Sequence, residues 1–277
     1  MNTALQHEIT ADDVRTFQED GVVCLRGAFD QDWIEMMRLA AERGLSNPTR
    51  LGEELAEARR DPGRFFHDTF LWLQDKACRR FVFDSPAAQI AALLMGSGTS
   101  HIFFDQWLIK EPGTPTRTPW HQDLPYWPVD GSQVCTVWLA LDPVTANRGA
   151  VEYVVGSHRW NARYKPETFS GNAVYSENLP PVPDIDAQRE GLDIVRFELE
   201  PGDCTVHHAL TVHGSPGNES ERVRRRASIS RWAGDDAVYY PREGIQEIPT
   251  DPGIPAGDPI RCELWPRVWP RSGSSST

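Results

Sequence analysis

The chain has 277 residues, 40 acidic against 28 basic, and a formal charge of −12. That length suits one large domain with a sizeable core, and the acidic balance argues against a nucleic-acid backbone as partner, which needs a basic face. Five scattered cysteines without a Cys-x-x-Cys pair, an N-terminus lacking the basic start and apolar run of a leader, and no apolar stretch of membrane-spanning length point away from disulfide scaffolds, zinc ribbons and membranes, towards a cytoplasmic enzyme.

The first element is a helix capped by Thr10, with Asp13 offering a carboxylate to its first turn, running through Val14 and Phe17 and ended by Gly21. Val22 to Leu25 reads as a short buried strand. Asp30 caps a second helix whose apolar positions, Trp33, Met36, Met37, Ala40 and Ala41, recur at helical spacing, with Gly44 marking its end. A third is expected over Ser85 to Met95, with Pro86 in its first turn and Gly96 behind it. From residue 100 the texture changes to short runs, His101 to Lys110, Gln133 to Leu141, Ala150 to Val155, Leu192 to Leu199 and Cys204 to His208, broken by Pro, Gly, Asn and Asp. This pattern predicts a mostly β fold with flanking α-helices, its core a double-stranded β-helix of jelly-roll or cupin-like type. The expected partition is helical support over 1–98, β-helix core over 99–235 and a C-terminal extension with a flexible tail over 236–277. Two irregular segments, Ser170 to Glu190 and Tyr240 to Ile260, are long for loops in a compact domain, and the first is read as a substrate cover.

The chemistry concentrates in Thr118-Pro119-Trp120-His121-Gln122-Asp123 and, far downstream, in His213-Gly214-Ser215. Two imidazoles and a carboxylate on one face of a metal leave its other positions open, an arrangement suited to oxygen-activating non-heme Fe(II). Roughly one His-x-Asp/Glu is expected by chance in a chain so acidic, so the weight rests on the surroundings. Beyond His213 come a turn-rich stretch and a strand-like run, Val223 to Trp232, that places Arg224 eleven residues past His213. A guanidinium takes a carboxylate through a planar fork, so an arginine returned beside the metal suits a dicarboxylate cosubstrate, 2-oxoglutarate. Arg224 and Arg226 share one strand face and Arg225 the other, and the register with His213 favours Arg224. His207 shares parity with His213 and is a candidate neighbour of the centre rather than a ligand. The aromatics Trp107, Trp120, Tyr126 and Trp127 are as readily core filling as cavity lining.

With those motifs, and with Trp138-Leu139-Ala140-Leu141-Asp142, Asn147-Arg148-Gly149-Ala150, Gly156-Ser157-His158 and Pro201-Gly202-Asp203 in order, residues 100 to 232 resemble the phytanoyl-CoA dioxygenase-like group of Fe(II)/2-oxoglutarate oxygenases. The resemblance implies that His121, Asp123 and His213 bind iron and that Arg224 holds the distal carboxylate of 2-oxoglutarate. It further implies that Ser215 adds a hydroxyl at that end and that Gln106 and Trp138 line the cosubstrate pocket. Arg148 stands where the family usually shows Asn-Gly directly. The activity implied consumes O2 and 2-oxoglutarate, releases succinate and CO2, and hydroxylates a C–H bond of a small or medium-sized metabolite. Retention of Asp123 disfavours halogenation, whereas desaturation, epimerisation, cyclisation and epoxidation use the same ligands. Two other classes remain open on the residues alone: a zinc-dependent cupin-like hydrolase or isomerase, which leaves Arg224 without employment, and a non-catalytic metal or ligand binder. Substrate identity and oligomeric state are not encoded in these motifs.

Overall fold

The computed structural model describes residues 1–55, 63–166 and 178–271. In chain order its helices are α1 (Ala11–Asp20), α2 (Gln31–Ser46), α3 (Lys76–Asp84) and α4 (Ala87–Met95). Its strands are β1 (Val22–Leu25), β2 (Glu53–Glu54), β3 (Phe65–Thr69), β4 (Ser100–Lys110), β5 (Thr118–His121), β6 (Val129–Asp130) and β7 (Val134–Ala140). They continue as β8 (Glu152–Val154), β9 (Ile194–Arg196), β10 (Cys204–His208), β11 (His213–Ser215), β12 (Arg225–Ala233), β13 (Val238–Tyr239) and β14 (Arg267–Trp269).

Local chemistry sets most helix ends. Thr10 and Asp13 form a reciprocal capping box on α1, and Gly21 closes it in the left-handed region at φ 79°. Asp30 caps α2 by accepting from the Trp33 amide. That helix does not end at Gly44 as expected but continues to Ser46. A Cβ at position 44 would lie 3.2 Å from the Trp107 indole nitrogen, so this glycine serves close packing against the sheet rather than termination. Asp75 caps α3, which the sequence reading had not marked, through the Ala77 and Cys78 amides.

Among the described residues, twelve strands form the two antiparallel sheets of a double-stranded β-helix, and β6 pairs with β13 apart from them. The major sheet runs β1-β10-β7-β12-β4-β3-β2, with β14 also paired to β4, and the minor sheet runs β5-β11-β8-β9. Strand alternation explains why β7 is buried throughout. Cys135, Val137 and Leu139 face outward into the cluster built with Trp33, Ile34, Met37, Phe81 and Ile90 of the helices. Trp138 and Ala140 face inward, with Ala227 and Ile229 of β12. The helices thus seal one face of the major sheet and leave the space between the sheets for polar groups. The division at residue 98 is not a structural one, since β1, β2 and β3 belong to the major sheet; the segment after 236 likewise returns β14 to β4. The tail 272–277 and residues 170–177 of the expected cover lie outside the described residues. Within 178–190, Ile185 packs with Val154 and Val212, against the half-buried Trp120, on the outer face of the minor sheet. No described helix is long and apolar enough to cross a membrane.

Candidate metal centre

Antiparallel pairing brings the two distant motifs together: His121, the last residue of β5, sits directly opposite His213, the first of β11. The chain then leaves the strand, with Asp123 in a helical conformation at the start of a 3-10 turn over Leu124–Tyr126, which turns its carboxylate back to the two rings. The ring centres of His121 and His213 are 4.2 Å apart, and Asp123 Oδ1 lies 3.6 Å from His121 Nε2 and 3.9 Å from His213 Nε2. One ligand atom from each residue falls within 4.8 Å of the others.

The imidazoles are oriented by their own backbone. His121 Nδ1 meets the Pro119 carbonyl at 2.8 Å and His213 Nδ1 meets that of Thr211 at 2.9 Å. A carbonyl can only accept, so each Nδ1 carries the hydrogen and each Nε2 keeps its lone pair for a metal. Burial, reinforced by His121 and His207, holds the His213 pKa well below the ordinary imidazole range, so the ring is neutral and ready to ligate. Asp123 is oriented by side chains instead. Its Oδ2 accepts from Thr136 Oγ1 at 2.7 Å and from His207 Nε2 at 3.3 Å, and lies 4.0 Å from Arg231 Nε. Burial alone would raise this carboxyl's pKa, but Arg231, His121 and His207 outweigh it and hold the group well below the usual range. An ionised carboxylate anchored at one oxygen offers the other, and the donor set of two imidazole nitrogens and one carboxylate oxygen fits a divalent transition metal.

The other expected site residues are distributed unevenly. Trp138, Gln106 and Ser215 are buried and lie on strands lining the interior. Gln106 spans Arg231, at 2.7 Å, and His67, at 2.9 Å. Ser215 Oγ accepts from Lys110 Nζ at 3.0 Å and donates to Thr118 Oγ1 at 3.2 Å. Arg224 is the correction. It points outward, one-third exposed, and pairs with Glu42 and, at 2.8 Å, with Glu111; Arg226 beside it takes Asp142 at 2.7 Å. The inward arginine is Arg225, only 1% exposed. Its guanidinium carbon lies 5.5 Å from the Trp138 ring centre, Nη1 donates to the Leu108 carbonyl at 3.3 Å, and Nε has no hydrogen-bond partner among the described residues. Burial pushes the Arg225 pKa down to about 10.

Alternation along β12 was read correctly but assigned to the wrong face, because parity is not carried through the bulge at His213/Ser215 and the irregular segment after it. A usable signal existed: Arg225 shares parity with the apolar Ala227 and Ile229, whereas Arg224 and Arg226 share it with Ser228 and Ser230. Lys110, Thr136 and Arg231 were also missed. Arg231 is buried between Phe104 and Trp127, 4.4 and 5.2 Å from their ring centres, an environment for a cation that only the folded chain creates. Gln122 acts as a strut, donating to the Ala162 and Leu210 carbonyls at 3.0 Å each. His207 lies as its parity suggested, 4.4 Å from the His213 ring centre.

The chain is similar to a probable phytanoyl-CoA dioxygenase of Caenorhabditis elegans, 29% identical over 126 residues that cover 45% of this chain and 39% of that protein. It is also similar to a probable alpha-ketoglutarate-dependent hypophosphite dioxygenase of Stutzerimonas stutzeri, 29% identical over 133 residues, 46% of this chain and 43% of that one. The matches thus span about two fifths of these curated relatives' lengths. Among solved structures, the non-heme alpha ketoglutarate dependent carbocyclase SnoK superposes with a TM-score of 0.76 at 24% identity, covering 97% of this chain and all of that one (100%). The epimerase SnoN, in complex with Fe3+, alpha ketoglutarate and nogalamycin RO, gives 0.74 at 24% identity, covering 93% and 97%. These likenesses establish the double-stranded β-helix. The phytanoyl-CoA dioxygenase (PhyH) family model matches residues 17–227, a span that holds His121, Asp123, His213 and the inward Arg225, and the chain belongs to that family.

Proposed function

We propose that the protein is an Fe(II)/2-oxoglutarate-dependent oxygenase that oxidises a C–H bond of a small or medium-sized metabolite, most simply by hydroxylation. The observation that carries this reading is the pairing, inside one barrel, of a three-donor metal cluster with a buried arginine that forms no salt bridge among the described residues, Asp142 acting on it only at longer range. A zinc hydrolase would employ the three ligands and leave Arg225 unexplained. Small molecules are the expected partners, since a chain of charge −12 offers little to nucleic acid, and the cytoplasm is the compartment we assign to it.

In this reading His121 Nε2, Asp123 Oδ1 and His213 Nε2 hold iron, and Arg225 receives the distal carboxylate of 2-oxoglutarate, with Trp138 stacked beneath the guanidinium. Bound iron supplies the coupling of O2 reduction to oxidative decarboxylation of 2-oxoglutarate, giving succinate and CO2. The protein's part is positional. Thr136, His207 and Arg231 keep Asp123 ionised and fixed, the two backbone carbonyls keep both imidazoles in the ligating tautomer, and the buried setting excludes bulk water. No side chain is required as a general base. The test is an anaerobic titration of metal-free protein with Fe(II) and 2-oxoglutarate, following the weak visible charge-transfer band. A band present in the wild type and lost in His213→Ala is expected; folded wild-type protein with no band would overturn the reading.

A further inference from the structure

A row of polar side chains crosses the inner face of the major sheet from its edge to the metal centre, over the four adjacent strands β2, β3, β4 and β12. Gln106 of β4 lies opposite Thr69 of β3 and Ile229 of β12, so His67 and Arg231, each two residues from those partners, share its face. Glu53 of β2 lies opposite His67. The contacts along the row have a fixed direction. Arginine can only donate, so the 2.7 Å contact of Arg231 Nη2 with Gln106 Oε1 decides which end of that amide faces the guanidinium. The other end, Nε2, then donates to His67 Nδ1 at 2.9 Å. A ring nitrogen that accepts carries no hydrogen, which leaves the ring hydrogen on Nε2, 3.5 Å from Glu53 Oε2. Arg231 Nε and Nη1 have no hydrogen-bond partner among the described residues. Gln106 therefore supplies the one hydrogen bond that this buried guanidinium makes there, and Arg231 Nε stands 4.0 Å from Asp123 Oδ2.

We propose that His67, which reaches Asp123 only through two intervening side chains, is a positioning residue for the metal centre: by accepting from Gln106 it holds the amide oxygen towards Arg231, and through Arg231 it fixes the Asp123 carboxylate for the two imidazoles. This rests on the metal-centre reading above. With no acceptor in the place of Nδ1, nothing selects the observed amide orientation. An overturned amide sets its N–H group against the guanidinium and leaves Arg231 without its acceptor, which is costly for a buried cation. Arg231 is otherwise held only by the faces of Phe104 and Trp127 and by the charge of Asp123, so loss of the anchor is passed on to the carboxylate. The row begins at the surface: the His67 side chain is 20% exposed and that of Glu53 is 72% exposed.

The competing role is packing, in which the ring only fills the rim between β2 and β4. Two variants rank in opposite order under the two roles. His67→Leu keeps apolar bulk without an acceptor, whereas His67→Asn is smaller but sets Oδ1 near the place of Nδ1. Fe(II) affinity is read by anaerobic chelator competition and folding by thermal denaturation. His67→Leu is expected to weaken iron binding about 3- to 10-fold, less than the roughly 10- to 100-fold typical of a direct partner of a ligand, with His67→Asn recovering most of it. On a Gln106→Leu background, His67→Leu should add nothing, because the link it acts through is already gone. Ring-nitrogen NMR shifts of the metal-free wild type in mildly alkaline buffer, assigned by the signal lost in His67→Asn, should show Nε2 protonated and Nδ1 bare. The Nδ1–H tautomer, unweakened iron binding in His67→Leu, His67→Asn no better than His67→Leu, or an additive loss in the double variant would overturn the proposal. Wild-type protein that keeps the Nε2–H tautomer and binds no Fe(II) would instead remove the metal reading on which it stands.

Discussion

Replacing Arg225 and Arg224 in turn by methionine separates two neighbours that the sequence alone confuses. Arg225 is buried against Trp138 with an Nε–H that no described residue accepts, so on the oxygenase reading its methionine variant loses a charged fork for the cosubstrate carboxylate. Hydrogen bonds to charged groups are worth about 1.5–3 kcal/mol each, so losing two at the lower end of that range amounts to about 3 kcal/mol, or roughly 100-fold in the Kd for 2-oxoglutarate. The cosubstrate-free protein should behave oppositely. Exchanging a buried, unpaired charge for an apolar side chain of similar length is neutral or stabilising, so the Tm of metal-free Arg225→Met should equal or exceed that of the wild type. Arg224→Met loses ion pairs to Glu42 and Glu111 at a one-third-exposed site, worth about 0.2–1 kcal/mol of stability each, and should leave the Kd unchanged. Anaerobic Fe(II) and 2-oxoglutarate titration beside thermal denaturation reads all four quantities. A loss of cosubstrate affinity in Arg224→Met with none in Arg225→Met would refute the facing argument outright.

Thr136→Val removes the shortest hydrogen bond to Asp123 Oδ2 without changing side-chain volume much, and should weaken Fe(II) binding about 10- to 100-fold in a chelator competition; unchanged affinity would show that His207 and Arg231 suffice. Gly149 has φ +69°, and a Cβ there would lie 3.2 Å from Arg225 Nη2 and from the Pro216 carbonyl. Gly149→Ala is expected to lower stability by about 1–3 kcal/mol and to weaken 2-oxoglutarate binding as Arg225 is displaced, and a variant of wild-type stability and affinity would contradict that reading. Burial pushes the Asp105 carboxyl up to about 7, so between its unfolded pKa near 4 and 7 the folded state holds a proton that the unfolded state has released. Stability should therefore fall as pH rises through that window, by at most about 4 kcal/mol, and denaturant melts of Asp105→Asn should lack the decline; parallel pH profiles of the two proteins would disprove it.

What was legible in the sequence was local or ligand-bearing. Thr10, Asp30 and Gly96 announce helix ends because capping is settled within a few residues. His121, Asp123 and His213 could be singled out because metal binding restricts residue type and turn context. Gly44 misled because its reason is the approach of Trp107, more than sixty residues away in the chain, which no local pattern reveals. Arg224 misled for a related cause: alternation is reliable inside a strand and lost across the bulge that precedes β12. Lys110 and Arg231 resemble ordinary strand residues until the barrel closes around them, since their character comes from burial and from the distant residues packed around each.

The two histidines and the aspartate are steadied by different means, and this makes the centre adjustable in only one direction. Each imidazole is oriented by a main-chain oxygen two residues earlier, which no substitution can remove while the strand keeps its path. The carboxylate depends on Thr136, His207 and Arg231, all replaceable one at a time. Variation in metal preference or electron affinity among engineered or natural descendants of this chain should therefore accumulate around the aspartate, with the histidine side of the centre left as an inherited constant.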